Sequence, residues 1–118
     1  MDTPEQFFMG SPDGLALYEA VADAISAIGP VEVRVTKSQI AFRRGKGFAY
    51  VWRPGQYVDN DVPMVLSFGL PQELHSPRFK EVAHPAPKVW MHHLEIRDRK
   101  QLDAEVRGWL EAAYENAR

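Results

Sequence analysis

The stretch QIAFRRGKGFAYVWR, residues 39–53, decides the fold class. Apolar residues occupy both ends. Its middle, Arg44-Gly45-Lys46-Gly47, supplies the glycines that a tight turn between antiparallel strands requires. It reads as a hairpin of two strands, Gln39–Arg43 and Gly47–Arg53. In the second strand, a period of two puts Phe48, Tyr50 and Trp52 on one face and Ala49, Val51 and Arg53 on the other. Both faces are largely apolar, as expected of a central strand covered on one side and partly on the other.

Moving outward toward the N-terminus, Val31–Thr36 alternates with its three valines on one face, giving a third strand. Gly29-Pro30 before it stops a helix over about Gly14–Ile28. There Leu17, Val21, Ile25 and Ile28 form one stripe, with Asp13 as the expected N-cap. Residues 1–14 carry Pro, Gly, Asp and Ser and read as a flexible N-terminal segment, with Phe7 and Phe8 as the side chains able to dock on a core.

Toward the C-terminus, Pro54–Pro63 is a turn-rich connection and Met64–Leu70 a short apolar strand. Pro71–Pro87 holds four prolines and two histidines. A helical turn is expected around Ser76–Val82, capped by Ser76 with Pro77 at its first position. Lys88–Ile96 is the next strand. Leu102, Val106, Trp109, Leu110 and Ala113 mark a final amphipathic helix, with Asp98 and Gln101 spaced as a capping box. No long helix separates the strands, which disfavours a parallel βαβ arrangement. The expectation is an α+β fold: an antiparallel sheet of about five strands with an N-terminal and a C-terminal helix packed on one face.

Composition narrows the function classes. The 118 residues suit one compact domain, 45% are hydrophobic, and there is no cysteine. Disulfide scaffolds, thiolate zinc sites and thiol nucleophiles are thereby excluded. No apolar run approaches the roughly 20 residues of a membrane helix, so no membrane partner is expected. The acidic N-terminus lacks the features of a secretory signal, which makes the cytoplasm the expected location.

Net charge is −2, but it is unevenly spread. Residues 1–30 hold five acids and no base. Residues 31–53 hold six bases, Arg34, Lys37, Arg43, Arg44, Lys46 and Arg53, against Glu32 alone. Bases at outward positions on strands of one sheet form a candidate footprint for an anionic small molecule or a nucleic acid. The same charges also suit a hairpin that exposes them to discourage edge pairing.

Several stretches carry a likeness to a known family. They are Gly29–Lys37, Ile40-Ala41-Phe42, Gly47-Phe48-Ala49, Trp90-Met91-His92-His93 and the terminal Trp109…Ala113-Tyr114 helix. From about Leu15 onward the chain resembles the family catalogued as domain of unknown function 5655. Its layout is also similar to the double-wing (MmcQ/YjbR-like) and YdhG-like domains, a fold-level likeness. Some of those have been proposed to bind DNA, but this chain lacks a basic tract around its Trp-bearing strand. The resemblance implies no cofactor. It makes Lys37 a pocket residue anchoring a phosphate or carboxylate.

The candidate ligand-binding residues are Lys37, Arg43, Arg44 and Lys46 for anion contact, Trp52 and Trp90 for stacking, and His92 and His93 at the rim. They would line a basic, aromatic-edged cleft between the sheet and a helix. A binding module for an anionic ligand or a nucleic-acid segment is the leading reading. A second is a protein-interaction or homo-oligomerisation domain using an exposed hydrophobic edge near Pro63–Leu70. A third is a small enzyme in which His93 and Glu95, at i and i+2 of one strand, pair as base and orienting carboxylate. A metal at that pair would need a further ligand such as His75 or His84, and no metal is expected. There is no nucleophile elbow, no HExxH and no phosphate-binding glycine loop.

Overall fold

A computed structural model describes residues 3–56 and 61–117. The hairpin at residues 39–53 forms as its pattern demands. Strand β1 (Glu32–Val35) pairs antiparallel with β2 (Ile40–Arg44), and β2 with β3 (Lys46–Trp52). Gly45 closes the β2–β3 turn with φ +76°, a left-handed conformation that a β-carbon disfavours. Three more strands complete the sheet: β4 (Met64–Leu70), β5 (Glu81–Ala86) and β6 (Val89–Ile96). The order is β1-β2-β3-β4-β6-β5, with every neighbour antiparallel.

The sheet has six strands rather than about five, because the region expected to make a helical turn supplies β5. One turn does close at its start, where the Phe79 N–H donates to the Ser76 carbonyl at 3.2 Å. Lys80 then donates to the His93 carbonyl at 2.8 Å, and the chain runs on along β6. Pro85 has no N–H to give. It is tolerated because β5 is an edge strand whose register shifts between Ala83 and Ala86.

Helix α1 (Pro4–Phe7) opens with a capping box between Thr3 and Gln6. It delivers Phe7 and Phe8 into the core. Helix α2 (Pro12–Ser26) starts earlier than its apolar stripe suggested. Its N-cap is Ser11, not Asp13, and the Ser11 hydroxyl accepts from the Gly14 N–H at 3.2 Å. Helix α3 (Ala104–Asn116) is capped by Asp103. The Asp98–Gln101 box instead closes a separate 3-10 turn at Arg99–Gln101. The middle of the Pro54–Pro63 connection, residues 57–60, lies outside the described residues.

Both long helices cover one face of the sheet. Val21 and Ile25 from α2 and Val106 and Leu110 from α3 pack over Ile40, Phe42, Val51, Leu66, Phe68 and Leu94. At roughly 25 cal/mol per Å² of apolar area removed from water, this layer is the main source of stability. Two expectations are corrected here. Met64–Leu70 is an interior strand between β3 and β6, buried at six of its seven positions, so it offers no exposed edge for association. Phe48 does not share a face with Tyr50 and Trp52. The β2–β3 register passes from Phe42↔Ala49 to Arg43↔Gly47, skipping Phe48. That bulge turns its ring under the helices, edge-on to Tyr114 at 5.5 Å.

Candidate functional site

The other face of the sheet has no described helix over it. Period-two alternation places Tyr50 and Trp52 of β3, Ser67 and Gly69 of β4, and Met91, His93 and Glu95 of β6 on that side. Two shallow clefts lie along it. One, of about 230 Å³, is lined by Gln39, Tyr50, Trp52, Ser67, Met91 and His93. The other, of about 200 Å³, lies at the hairpin-tip end of the sheet: Tyr50, Met91, Gly47, Gly69, Val89, Lys46 and Lys88 line it together with Phe48, Leu70 and the α3 residues Ala113 and Asn116, with Ala117 beyond them, so it reaches round to the helix side. The two adjoin at Tyr50 and Met91, which line both, and together make up the groove. Its floor is aromatic and aliphatic, and one end carries two ammonium groups.

At the opposite end, three side chains are chained together. The Trp52 indole Nε1–H donates to the Ser67 hydroxyl at 3.1 Å, and that hydroxyl lies 2.6 Å from His93 Nδ1. The Trp52 and His93 rings meet edge to face at 6.3 Å. Burial holds the His93 pKa below its ordinary value; Glu81 opposes this effect and Lys80 reinforces it. The imidazole is therefore neutral at pH 7.

At the cationic end, Lys46 and Lys88 are exposed and have no ion-pair partner among the described residues. They come from the tips of two different hairpins, β2–β3 and β5–β6. Gly47 beside them leaves room for the end of the Tyr50 side chain, which a β-carbon there would push aside.

The family model described as Domain of unknown function (DUF5655) matches residues 5–117. The chain belongs to the DUF5655 family. No curated protein and no solved structure matches it significantly. The match spans every groove residue of this DUF5655 chain, and the roles of those residues rest on their geometry alone.

Of the eight residues singled out from the sequence, Lys46, Trp52 and His93 line the groove. Arg43 is on the same face opposite Gly47, but its guanidinium is engaged by Glu32 at 3.3 Å. Lys37 sits in the β1–β2 turn, two residues before Gln39 and at the other end of the strands from Lys46.

Arg44 is on the helix side. It donates to the Tyr114 carbonyl at 3.1 Å and lies 4.2 Å over that ring's centre. Trp90 shares the register of Leu70 on the helix side and stacks on His84 at 3.5 Å. His92 is fully buried instead of lying at a rim. Its Nε2 accepts from the Leu74 N–H at 3.0 Å, its Nδ1 faces the Phe68 carbonyl at 3.4 Å, and its ring stacks on Phe68. Burial lowers its pKa as well.

The predicted cluster therefore splits across the sheet, and no single cleft holds all eight. The basic segment is also less open than its charge count suggests. Arg53 is spent on the carbonyls of Phe7 and Met9, and Arg34 lies within 3.5 Å of Glu32. Glu95 pairs with Lys80 at 3.4 Å while His93 turns to Ser67, so the expected His93–Glu95 couple is not formed. Among the described residues no group of three or more potential ligands is placed to hold a metal. No helix among them is long and apolar enough to cross a membrane.

Sequence reasoning missed Ser67, Met91 and Lys88. A signal for Ser67 was present: it is the one hydroxyl in the apolar strand MVLSFGL. Nothing local marked Lys88, which reaches the groove only because β5 folds back along β6.

Proposed function

We propose that this chain is a binding module for a small organic anion, taken up in the open-face groove with its flat, apolar part over Tyr50, Trp52 and Met91 and its anionic part at Lys46 and Lys88. The observation that carries this reading is the pairing of two unpartnered lysines with an aromatic floor in two adjoining clefts. Elsewhere on this face Arg34 and Arg43 both lie against Glu32 and Lys80 pairs with Glu95, so these cations are already engaged. A nucleic-acid backbone needs a row of free cations along its path. Two lysines at one end of a groove favour a single anionic group.

From His93 to Lys88 is five residues of strand, roughly 17 Å at ~3.3 Å per residue. A lysine stem shortens the gap that a ligand has to span. That length suits a nucleotide with more than one phosphate better than a single-ring acid, and makes adenosine diphosphate a fitting probe. In calorimetric titration with adenosine diphosphate, the Lys46→Ala/Lys88→Ala double variant is expected to bind at least about tenfold more weakly than the wild type. That is the effect of losing one charge-assisted hydrogen bond of ~1.5 kcal/mol. Arg44→Ala is expected to leave the affinity unchanged. Equal affinity in the double variant, or no binding by the wild type, would overturn the reading.

A further inference from the structure

The hydrogen-bond inventory at the Trp52 end fixes which nitrogen of His93 carries the proton. An indole N–H is a donor and nothing else, so at 3.1 Å from Trp52 Nε1 the Ser67 oxygen must accept. The oxygen has a second lone pair, but Ser67 is buried and its hydroxyl has no third partner among the described residues, so its own proton is satisfied only by donation to His93 Nδ1, 2.6 Å away. Nδ1 is therefore the acceptor, and the neutral ring carries its hydrogen on Nε2. With Nδ1 turned down to Ser67, which is 2% exposed, the opposite side of the ring faces the cleft that His93 lines. Nε2–H has no partner among the described residues.

We infer that His93 is the specificity-determining contact of the groove: its Nε2–H, held in that tautomer by Ser67, donates to an acceptor on the edge of a planar ligand, a carbonyl oxygen or an unprotonated ring nitrogen. The inference rests on the reading that the groove binds an organic anion, and it adds the chemistry of the ligand's head. A heterocycle with an in-plane acceptor is selected over a plain hydrocarbon ring. Trp52, edge-on to His93, closes one side of the place where that heterocycle lies. Ser67 is a positioning residue. It does not face the ligand, and its hydroxyl sets the direction of the donor.

The test compares two probes, adenosine diphosphate and inorganic pyrophosphate, on the wild type and on His93→Phe, which keeps a flat ring and removes the donor. His93→Phe is expected to weaken adenosine diphosphate about five- to tenfold and to leave pyrophosphate, which engages only the lysines, unchanged. In nitrogen-15 spectra of the wild type at pH 7, His93 is expected as the Nε2–H tautomer. Ser67→Ala is expected to return it to a mixture of tautomers and to weaken adenosine diphosphate. An Nδ1–H or cationic His93 would overturn the inference whatever the probes do. Equal effects of His93→Phe on both probes, or no effect on either, would overturn it while leaving the groove reading intact. Failure of the wild type to bind either probe would bring down both.

Discussion

His92 and His93 are adjacent in β6 and chemically identical, yet they lie in different surroundings. His92 is enclosed by Phe68, Phe79 and Leu74, with both nitrogens engaged by the backbone. His93 lies on the opposite face of the sheet, with one nitrogen held by Ser67 and the other open to the groove. Arg44 and Lys46, cross-strand partners beside the β2–β3 turn, differ in engagement although the register pairs them. Arg44 is tied to the backbone and ring of Tyr114, whereas Lys46 stands unpaired at the groove. In β6 the pleat sorts two identical imidazoles into support on the helix face and contact on the open face. A residue's role in this protein follows from its parity along the strand more than from its type.

The contrast breaks most visibly if the helix face is damaged. Phe68→Ala removes a fully buried ring stacked between His92 and Trp109, and a loss of ~3–5 kcal/mol is expected in urea unfolding. Arg44→Ala is expected to cost ~1 kcal/mol by the same measurement, through loss of the guanidinium's hydrogen bond and ring contact at Tyr114, whose carbonyl keeps the Ala117 N–H.

Acid probes both faces more gently. His92 and His93 have folded pKa values below the 6.5 of the unfolded chain, so below pH 6.5 the unfolded state takes up more protons. Stability is therefore fully present above pH 6.5 and lost as pH falls from there toward the folded pKa values. Urea midpoints measured between pH 7.5 and 5 should show that decline, and His92→Gln should flatten part of it.

At the groove the order reverses. Lys46→Ala is expected to stay within about 0.5 kcal/mol of wild-type stability while losing affinity for adenosine diphosphate. Gly47→Ala is the smallest perturbation. It displaces only the far end of the Tyr50 side chain, so unfolding should hardly change while titration shows weakened binding.

Most of the fold was legible because its signals are local. Alternation marked β1 to β4 and β6, and the stripes at Leu17–Ile25 and Val106–Ala113 marked the two long helices. β5 was not legible: the Ser76-Pro77 start does form a turn, and residues 81–86 become a strand only by pairing with β6. The two faces of β6 were also legible, since parity alone separates His92 from His93. The site was legible only in part, for two reasons. A bulge, invisible to a strict period of two, moved Phe48 across the sheet. The charge pattern also counted bases without showing which are consumed by carbonyls and by Glu32. Arg53 illustrates this: it counts among the six bases of residues 31–53, and its guanidinium is spent on Phe7 and Met9. Arg78, unremarked in the sequence, holds Asp103 and Glu105 at 3.0 and 2.9 Å and pins α3 to the β4–β5 connection.

The methionines report most directly on which face binds. Met91 lies in the middle of the groove, Met64 is buried under the helices, and Met9 is exposed near the N-terminus. With carbon-13-labelled methionine methyl groups and adenosine diphosphate as the probe, the Met91 resonance should move on titration while those of Met64 and Met9 hold still. A stationary Met91 beside a moving Met64 or Met9 would contradict the assignment of binding to the open face.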